Sequence, residues 1–288
     1  MNIPPLNSNA KLLMKANAND FTGRFREIIS DPLNLAIKRV PHAGATDGGI
    51  VYLHNGIKVQ FTGPYAYYDE FSTILMLNRG VHEPLEEFVF QELFKHLPEA
   101  PRMLELGAYW GHYSMWLKST FPQASVCLVE PDDKNYQSGV YNFQLNDLDG
   151  EFIKDFVGNQ HFSVDQYFLD KKIDQLNILH SDIQGYELEM LNDCSIALQH
   201  KKIDYIFVST HSQQIHVDAI HFLERMDYRV EVSSDFENDT TSFDGFIFAS
   251  SSLKCPVFED FTPIGRTQLQ QENPMNLVNY LSKIVARQ

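Results

Sequence analysis

The chain has 288 residues, of which 43% are hydrophobic and 12% aromatic. This is enough for one large α/β domain with an N-terminal extension, and it excludes global disorder. The formal net charge of -15 repels phosphate, so we expect no nucleic-acid partner and no anionic membrane surface. Three scattered cysteines are too few for a disulfide framework, and no apolar run suits a signal peptide or a membrane span. Together these features predict a cytoplasmic protein.

The N-terminal part of the chain is polar and rich in turn-forming residues up to about residue 48. Two β-rich runs then flank Asn55-Gly56, a pair typical of a type I′ hairpin turn. Apolar spacing predicts a helix from Glu83 to Leu97. We therefore expect a helix and hairpin extension over residues 1-80, a catalytic domain over 81-250, and a tail with an amphipathic helix over 251-288.

Seven apolar segments between residues 102 and 250 predict the strands of a single sheet. They are MLELG, SVCLVE, EFIKDFV, QLNILHSDI, KIDYIFVST, YRVEVSS and DGFIFAS. Helical segments separate most of them, including one continuous helix over 185-198 and one around 218-226, as in βαβ units of a parallel sheet. The last two have no helix between them, which predicts an antiparallel pair at one edge. The fold class is therefore α/β, with a seven-stranded, mostly parallel sheet whose last strand is antiparallel.

A glycine turn follows the first of these strands and opens a helix near His112. Gly107 permits the sharp turn, and Gly111 permits close approach of the helix to the strand and of the backbone to a ligand. Tyr109 stands where a dinucleotide site needs glycine, so a bound pyrophosphate is excluded. Glu105 adds negative charge that suits a ligand with an ammonium group and a sulfonium centre, and we expect it to act indirectly by fixing the loop.

The second strand ends at Glu130-Pro131-Asp132. An acid at this position accepts hydrogen bonds from both hydroxyls of a ribose, whereas the simpler alternative is a helix-capping acid. Pro131 stops the strand at that point. Because the glycine turn lies one βα unit earlier, we favour the ribose role for Glu130.

Residues 179-191, LHSDIQGYELEML, together with LELGAYWGHYS and VEPDDKNY, resemble the FkbM family of methyltransferases over about residues 80-250. The resemblance implies a Rossmann-like class I domain that uses S-adenosylmethionine and releases S-adenosylhomocysteine. It implies that Asp182 faces the active site. The residues it places around the cofactor are Gly107, Ala108, Gly111 and Glu130, with Glu105 and Pro131 beside them, Phe156 and Val157 near the adenine, and Glu83 near the methionyl end.

The sequence departs from the family pattern at two places. Gln184 stands where the family usually has glutamate, and the fifth strand runs into Ser209-Thr210-His211-Ser212 without the usual acid. Asp182 and His211 both follow parallel strands, so we expect them at one crevice. Our hypothesis is that His211 is the general base and that Asp182 orients it or the acceptor.

Two further points concern the chemistry around this pair. A divalent metal held by Asp182, His211 and one further oxygen ligand is an alternative that we rank below the base. The acidic positions on the following helix are expected to form a solvated surface; they are Glu187, Glu189 and Asp193.

The leading functional expectation is O-methylation of a small-molecule hydroxyl, on a sugar or in natural-product biosynthesis. One alternative is an N-methyltransferase acting on a peptide or an amine, and another is a non-catalytic scaffold that binds S-adenosylmethionine. A homo-oligomer is compatible with the sequence.

Overall fold

A computed structural model describes residues 25, 28-67, 72-158, 160-237, 240-242 and 244-286. Most of the polar extension, residues 1-24, lies outside these ranges. The chain divides into two compact units. One comprises residues 1-88, 241-243 and 273-288, and the other comprises 89-240 and 244-272. The expected domain boundaries at residues 80 and 250 stay a prediction. Within the described residues, no helix combines the length and apolarity needed to cross a membrane.

The larger unit is built on a seven-stranded sheet with the order β6-β5-β4-β7-β8-β10-β9. β10 runs antiparallel to both of its neighbours, and the other pairs are parallel. This confirms the predicted sheet and its antiparallel last strand. The strands are β4 (Arg102–Leu106), β5 (Ser125–Val129), β6 (Glu151–Ile153), β7 (Leu176–Ser181), β8 (Ile203–Thr210), β9 (Tyr228–Ser234) and β10 (Gly245–Ser251).

Helices cover both faces of this sheet, which explains why its central strands are largely buried. All eight residues of β8 are buried, as expected for a strand covered on both sides. Aromatic rings pack on one face, where Phe207 contacts Phe90 and Phe248. The helices are α2 (Pro84–Leu93), which the two units share, α3 (His112–Thr120), α4 (Asp133–Leu145), α5 (Val164–Lys171), α6 (Glu187–Asp193), α7 (Ser195–Gln199), α8 (Gln213–Arg225) and α9 (Arg266–Gln271).

Element boundaries differ from the sequence prediction at several places, including the helix predicted over 83-97, which ends at Leu93. The third strand ends at Ile153, so it is shorter than the predicted EFIKDFV segment. The helix predicted as continuous over 185-198 is broken at Cys194 into α6 and α7. The helix predicted around 218-226 begins earlier, at Gln213, because the Ser212 hydroxyl accepts from Ile215 N and caps it.

The smaller unit contains a three-stranded antiparallel sheet of β1 (Thr46–Asp47), β2 (Ile50–Tyr52) and β3 (Lys58–Gln60), followed by α1 (Thr73–Leu77). The predicted β2–β3 hairpin is confirmed, but its type I′ turn is wrong. Only Gly56 of the Asn-Gly pair has positive φ, and Gly56 N donates to Leu53 O, as in a three-residue hairpin loop. The predicted C-terminal helix is present as α10 (Pro274–Val285).

Candidate functional site

The glycine turn meets the end of β7 at the carboxyl edge of the sheet. Asp182 N donates to Leu106 O at 2.9 Å, so the segments leaving β4 and β7 are joined backbone to backbone. Gly107 has φ +72, and a Cβ there would lie 1.8 Å from the carbonyl oxygen of Asp182. Only glycine fits this junction, which brings the predicted cofactor loop into contact with the predicted active-site aspartate.

The second glycine and Glu105 fix the start of α3. Gly111 is the N-cap of α3 with φ 74, and a Cβ there would lie 3.0 Å from side-chain atoms of Leu128 and Phe143. Gly111 is therefore needed for packing of the helix start against the sheet and α4. The Glu105 side chain is buried, and its Oε2 accepts from Ser114 N at 3.1 Å. Its charge lies at the helix N-terminus, where a carboxylate is stabilising, and its expected effect on a bound ligand stays a prediction.

Glu130 contacts the glycine turn directly. Its Oε2 accepts from Tyr109 N at 2.8 Å and its Oε1 accepts from Asp132 N at 2.9 Å. Burial raises the pKa of this carboxyl, and the two backbone hydrogen bonds act in the opposite direction. The carboxylate and the loop thus form one structural element, with buried Ala108 on one side and half-buried Pro131 on the other.

Two positions expected near the adenine lie beyond the third strand instead of ending it, because that strand stops at Ile153. Phe156 is 58% exposed, so its ring is available to a ligand, whereas Val157 is buried and bridges to Phe162. Glu83 belongs to the smaller unit, where its backbone N–H donates to Glu87 Oε1. The ligand roles of Phe156, Val157 and Glu83 stay predictions.

The structure places the predicted pair of Asp182 and His211 side by side, with two acids that the sequence analysis did not assign to the site. His211 Nε2 lies 3.3 Å from Asp182 Oδ1 and 3.6 Å from Asp244 Oδ1, while Nδ1 lies 2.7 Å from Glu187 Oε1. Gln184 Nε2 donates to Asp182 Oδ1 at 3.0 Å. Three carboxylates therefore surround a single imidazole.

These carboxylates decide the charge of the imidazole. Burial lowers the pKa of His211, but the nearby Asp182 carboxylate, the hydrogen bond to Glu187 and the charge of Asp244 outweigh it and raise the pKa to about 10. At neutral pH only about one ring in a thousand is then neutral. The imidazolium fits this site, whereas the base role expected for His211 requires the rare neutral form.

The expectation of a solvated acidic surface on α6 is wrong for Glu187, whose side chain is fully buried. Glu187 is the first residue of α6, so it lies next to the end of β7. Asp244 precedes β10, and an antiparallel strand begins at the edge where its parallel neighbours end. Two patterns in the sequence could have identified these acids. Glu187 is the first helical residue after a strand, and Asp244 stands at the start of an antiparallel strand.

Comparison with known proteins gives a family for this architecture. A family model described as a methyltransferase FkbM domain matches residues 67-230, just over half of the chain. A search of the curated proteins found no match.

Several solved structures resemble the chain. A methyltransferase FkbM from Methylobacillus flagellatus KT is 18% identical, with TM-score 0.43, and the match covers 53% of this chain and 44% of that protein. A putative rRNA-methylase from Clostridium thermocellum is 14% identical with TM-score 0.44, covering 56% and 92%. TrmK of M. capricolum, in complex with S-adenosyl-homocysteine, is 13% identical with TM-score 0.39, covering 68% and 82%.

Proposed function

The chain belongs to the FkbM methyltransferase family, and from that premise we propose that it transfers the methyl group of S-adenosylmethionine to a hydroxyl of a small molecule, a sugar or a natural product. The observation that carries this proposal is the junction of Gly107 with Asp182. In this proposal the junction holds the cofactor loop next to Asp182 and His211, where the acceptor binds. Methyl transfer needs this adjacency because it is an in-line displacement that depends on alignment.

The loop suits S-adenosylmethionine better than a dinucleotide. A pyrophosphate needs unoccupied backbone N–H groups, and here most of the loop N–H groups already donate to protein oxygens; these are Gly107, Ala108, Tyr109 and Gly111. Glu105 takes a further N–H at the helix start. The remaining lone pairs of the Glu130 carboxylate suit ribose hydroxyls, and the acidic surroundings suit a cation.

We assign to Asp182 the role of accepting the proton of the acceptor hydroxyl. His211, as an imidazolium, holds the Asp182 side chain in place. When bound, the cofactor would supply a methyl group on a sulfonium centre, with a neutral thioether as the leaving group. Asp182 would accept the proton that the acceptor hydroxyl gives up as its oxygen is methylated. The Asp182 side chain is 32% exposed and can reach an acceptor, whereas His211 is 15% exposed and enclosed by acids.

The alternatives remain distinct outcomes. An amine or peptide acceptor needs the same alignment and also loses a proton, so Asp182 has the same part in N-methylation. A catalytic metal held by Asp182, His211 and a further oxygen ligand stays an alternative that we rank below a metal-free reaction. Turnover that survives a chelator supports a metal-free reaction, and turnover restored only by a divalent ion contradicts it.

A cytoplasmic location and a small-molecule partner remain part of the proposal.

The test uses calorimetry and turnover of the full chain. We expect S-adenosylhomocysteine to bind the wild-type protein, Asp182→Asn and His211→Ala alike, because neither side chain belongs to the loop. Turnover of labelled S-adenosylmethionine with an acceptor should fall about 100-fold or more in Asp182→Asn. Absence of cofactor binding contradicts the methyltransferase proposal, and unchanged turnover in both variants contradicts the assigned pair.

The pH profile separates the two proton acceptors. If Asp182 accepts the proton, turnover stays level across pH 7 to 9, where His211 remains charged. If His211 is the base, turnover rises about tenfold per pH unit until pH approaches 10. A level profile is the result that we expect.

A further inference from the structure

The turn between β7 and α6 places an amide side chain next to the proposed proton acceptor. Gln184 is exposed, and its backbone has φ +53, in the left-handed region where a residue other than glycine is strained. Such strain persists only where surrounding contacts hold the residue, and it is concentrated at functional sites. The conformation of Gln184 therefore directs attention to what its side chain does.

The Gln184 amide is held by the Asp182 carboxylate. Its Nε2 donates to Asp182 Oδ1 at 3.0 Å, and His211 Nε2 lies 3.3 Å from the same oxygen. An ionised carboxylate only accepts hydrogen bonds, so the amide presents its NH2 group to Asp182 and its carbonyl oxygen elsewhere. A glutamate at position 184, as in the usual family pattern, could not donate this bond. The glutamine of this chain is what supplies the donor.

Two oxygen atoms of this pair remain available to a ligand. Within the described part of the chain, neither Asp182 Oδ2 nor Gln184 Oε1 takes part in a hydrogen bond. Asp182 is half-buried and Gln184 is exposed, so a small molecule can reach both side chains. Two acceptor oxygens on bonded neighbours match two hydroxyl groups on adjacent carbon atoms, since each O–H···O bond spans about 2.8 Å.

We propose that Gln184 selects acceptors that carry a second hydroxyl group next to the one that is methylated. This inference rests on the proposed function, because it takes the reacting hydroxyl to lie at Asp182. The reacting hydroxyl donates to Asp182 Oδ2, and its neighbour donates to Gln184 Oε1. An acceptor with a single hydroxyl makes only the first of these bonds. The acceptor class thereby narrows from any hydroxyl compound to vicinal diols, a pattern that sugar rings carry.

The test compares two small alcohols that differ by one hydroxyl group. Cyclohexanol and trans-1,2-cyclohexanediol are supplied to the full chain with labelled S-adenosylmethionine, and kcat/KM is measured for each. One further hydrogen bond contributes up to about tenfold, so we expect the wild-type protein to prefer the diol by about tenfold per hydroxyl. In Gln184→Leu this ratio should fall to about one. The ratio cancels any loss that the two alcohols share, such as a poorly oriented Asp182.

Two further variants separate selection from folding. Gln184→Gly removes the amide at a position where glycine is not strained, so the ratio should again fall to about one while the urea midpoint stays level or rises. Gln166→Leu is the matched control, because Gln166 is an exposed glutamine of α5 whose Nε2 also donates to a carboxylate, that of Asp170. Its ratio should equal the wild-type ratio.

Several outcomes overturn the inference. They are a wild-type ratio of about one, a preference for the diol that survives in both Gln184 variants, an equal loss in Gln166→Leu, and turnover of neither alcohol. Binding of S-adenosylhomocysteine, measured by calorimetry on each protein, shows separately whether the methyltransferase proposal stands. If the product binds and the ratio is about one, only the selection by Gln184 is contradicted.

Discussion

His211 lies where acidic side chains from three different segments of the chain meet one ring. Asp182 and Asp244 face its Nε2, and the buried Glu187 faces its Nδ1 at the shortest distance, 2.7 Å. The Nδ1–H bond to Glu187 fixes the orientation of the ring, so that Nε2 faces Asp182 and Asp244. Glu187 is therefore a positioning residue that acts through His211.

Replacement of Glu187 tests this role. In Glu187→Gln the amide keeps the size of the side chain but removes one of the charges that raise the pKa of His211. We expect the pKa to fall from about 10 by about one to two units, as followed by NMR titration of the ring. Glu189→Gln, at an exposed position of the same helix, should leave it unchanged. An unaltered titration in Glu187→Gln contradicts the assignment.

Gly107 offers a second prediction at the scale of one residue. Gly107→Ala should destabilise the protein by more than about 3 kcal/mol, since its Cβ would overlap the carbonyl oxygen of Asp182 and its φ is positive. Gly185→Ala is the matched control: φ is +105, but no atom lies within 4 Å of its Cβ. Urea unfolding should give only about 1–2 kcal/mol for that change. Equal losses would mean that backbone conformation, not the junction, requires Gly107.

At the scale of the element, the positions of the strands can be predicted from the sequence, whereas the break between α6 and α7 cannot. The central strands β4, β5, β7, β8 and β10 are largely buried and rich in apolar residues, so composition locates them in the sequence. The apolar spacing over 185-198 continues through Cys194 and contains no glycine or proline to mark a break there. The break depends on Asp165, a residue of α5 whose carboxylate accepts from the N–H groups of Ile196 and Ala197. Local sequence cannot reveal a cap that comes from another helix.

This exchange of caps predicts a stability effect. Asp193, the last residue of α6, accepts a hydrogen bond from Val164 N at the start of α5. A carboxylate of α6 therefore caps α5, and a carboxylate of α5 caps α7. Asp165→Ala removes two hydrogen bonds at the start of α7 and should cost about 1–2 kcal/mol in unfolding free energy. Asp170→Ala, at an exposed position of α5, should cost less than about 0.5 kcal/mol. Similar losses in the two variants would contradict the capping role.

For the whole molecule, the sequence predicts the parts of the site that lie on consecutive βα units. Gly107, Glu130 and Asp182 follow parallel strands, and all parallel strands end at one edge. Asp244 lies at that edge because β10 runs antiparallel to its neighbours, so the predicted antiparallel last strand was the sequence signal for its position. The position of Glu187 depended on the exact start of α6. Long-range order of strands and loops is the information that local patterns lack.

The charge of His211 also affects the stability of the folded chain. Its pKa is about 10 in the folded protein and about 6.5 when unfolded, so between these values the folded form holds a proton that the unfolded form releases. Its stabilisation is complete below pH 6.5 and is lost as pH rises towards 10. Burial lowers the pKa of His54 and His216, so these groups change the pH dependence of stability only below pH 6.5. Burial raises the pKa of the Cys127 thiol to about 12, so this group changes it only above pH 9.

Between pH 7 and 8.5, His211 is therefore the group whose folded and unfolded protonation states differ most among these residues. We expect the unfolding free energy to fall by about 1.4 kcal/mol per pH unit in this window, as measured by urea titration. His211→Gln should be less stable at pH 7 and should flatten the slope. The net charge of -15 adds repulsion between acids, but moderate salt screens that repulsion and should leave the slope of the wild-type protein in place. A slope that disappears with salt, or one that His211→Gln retains, would contradict an imidazolium enclosed by three carboxylates.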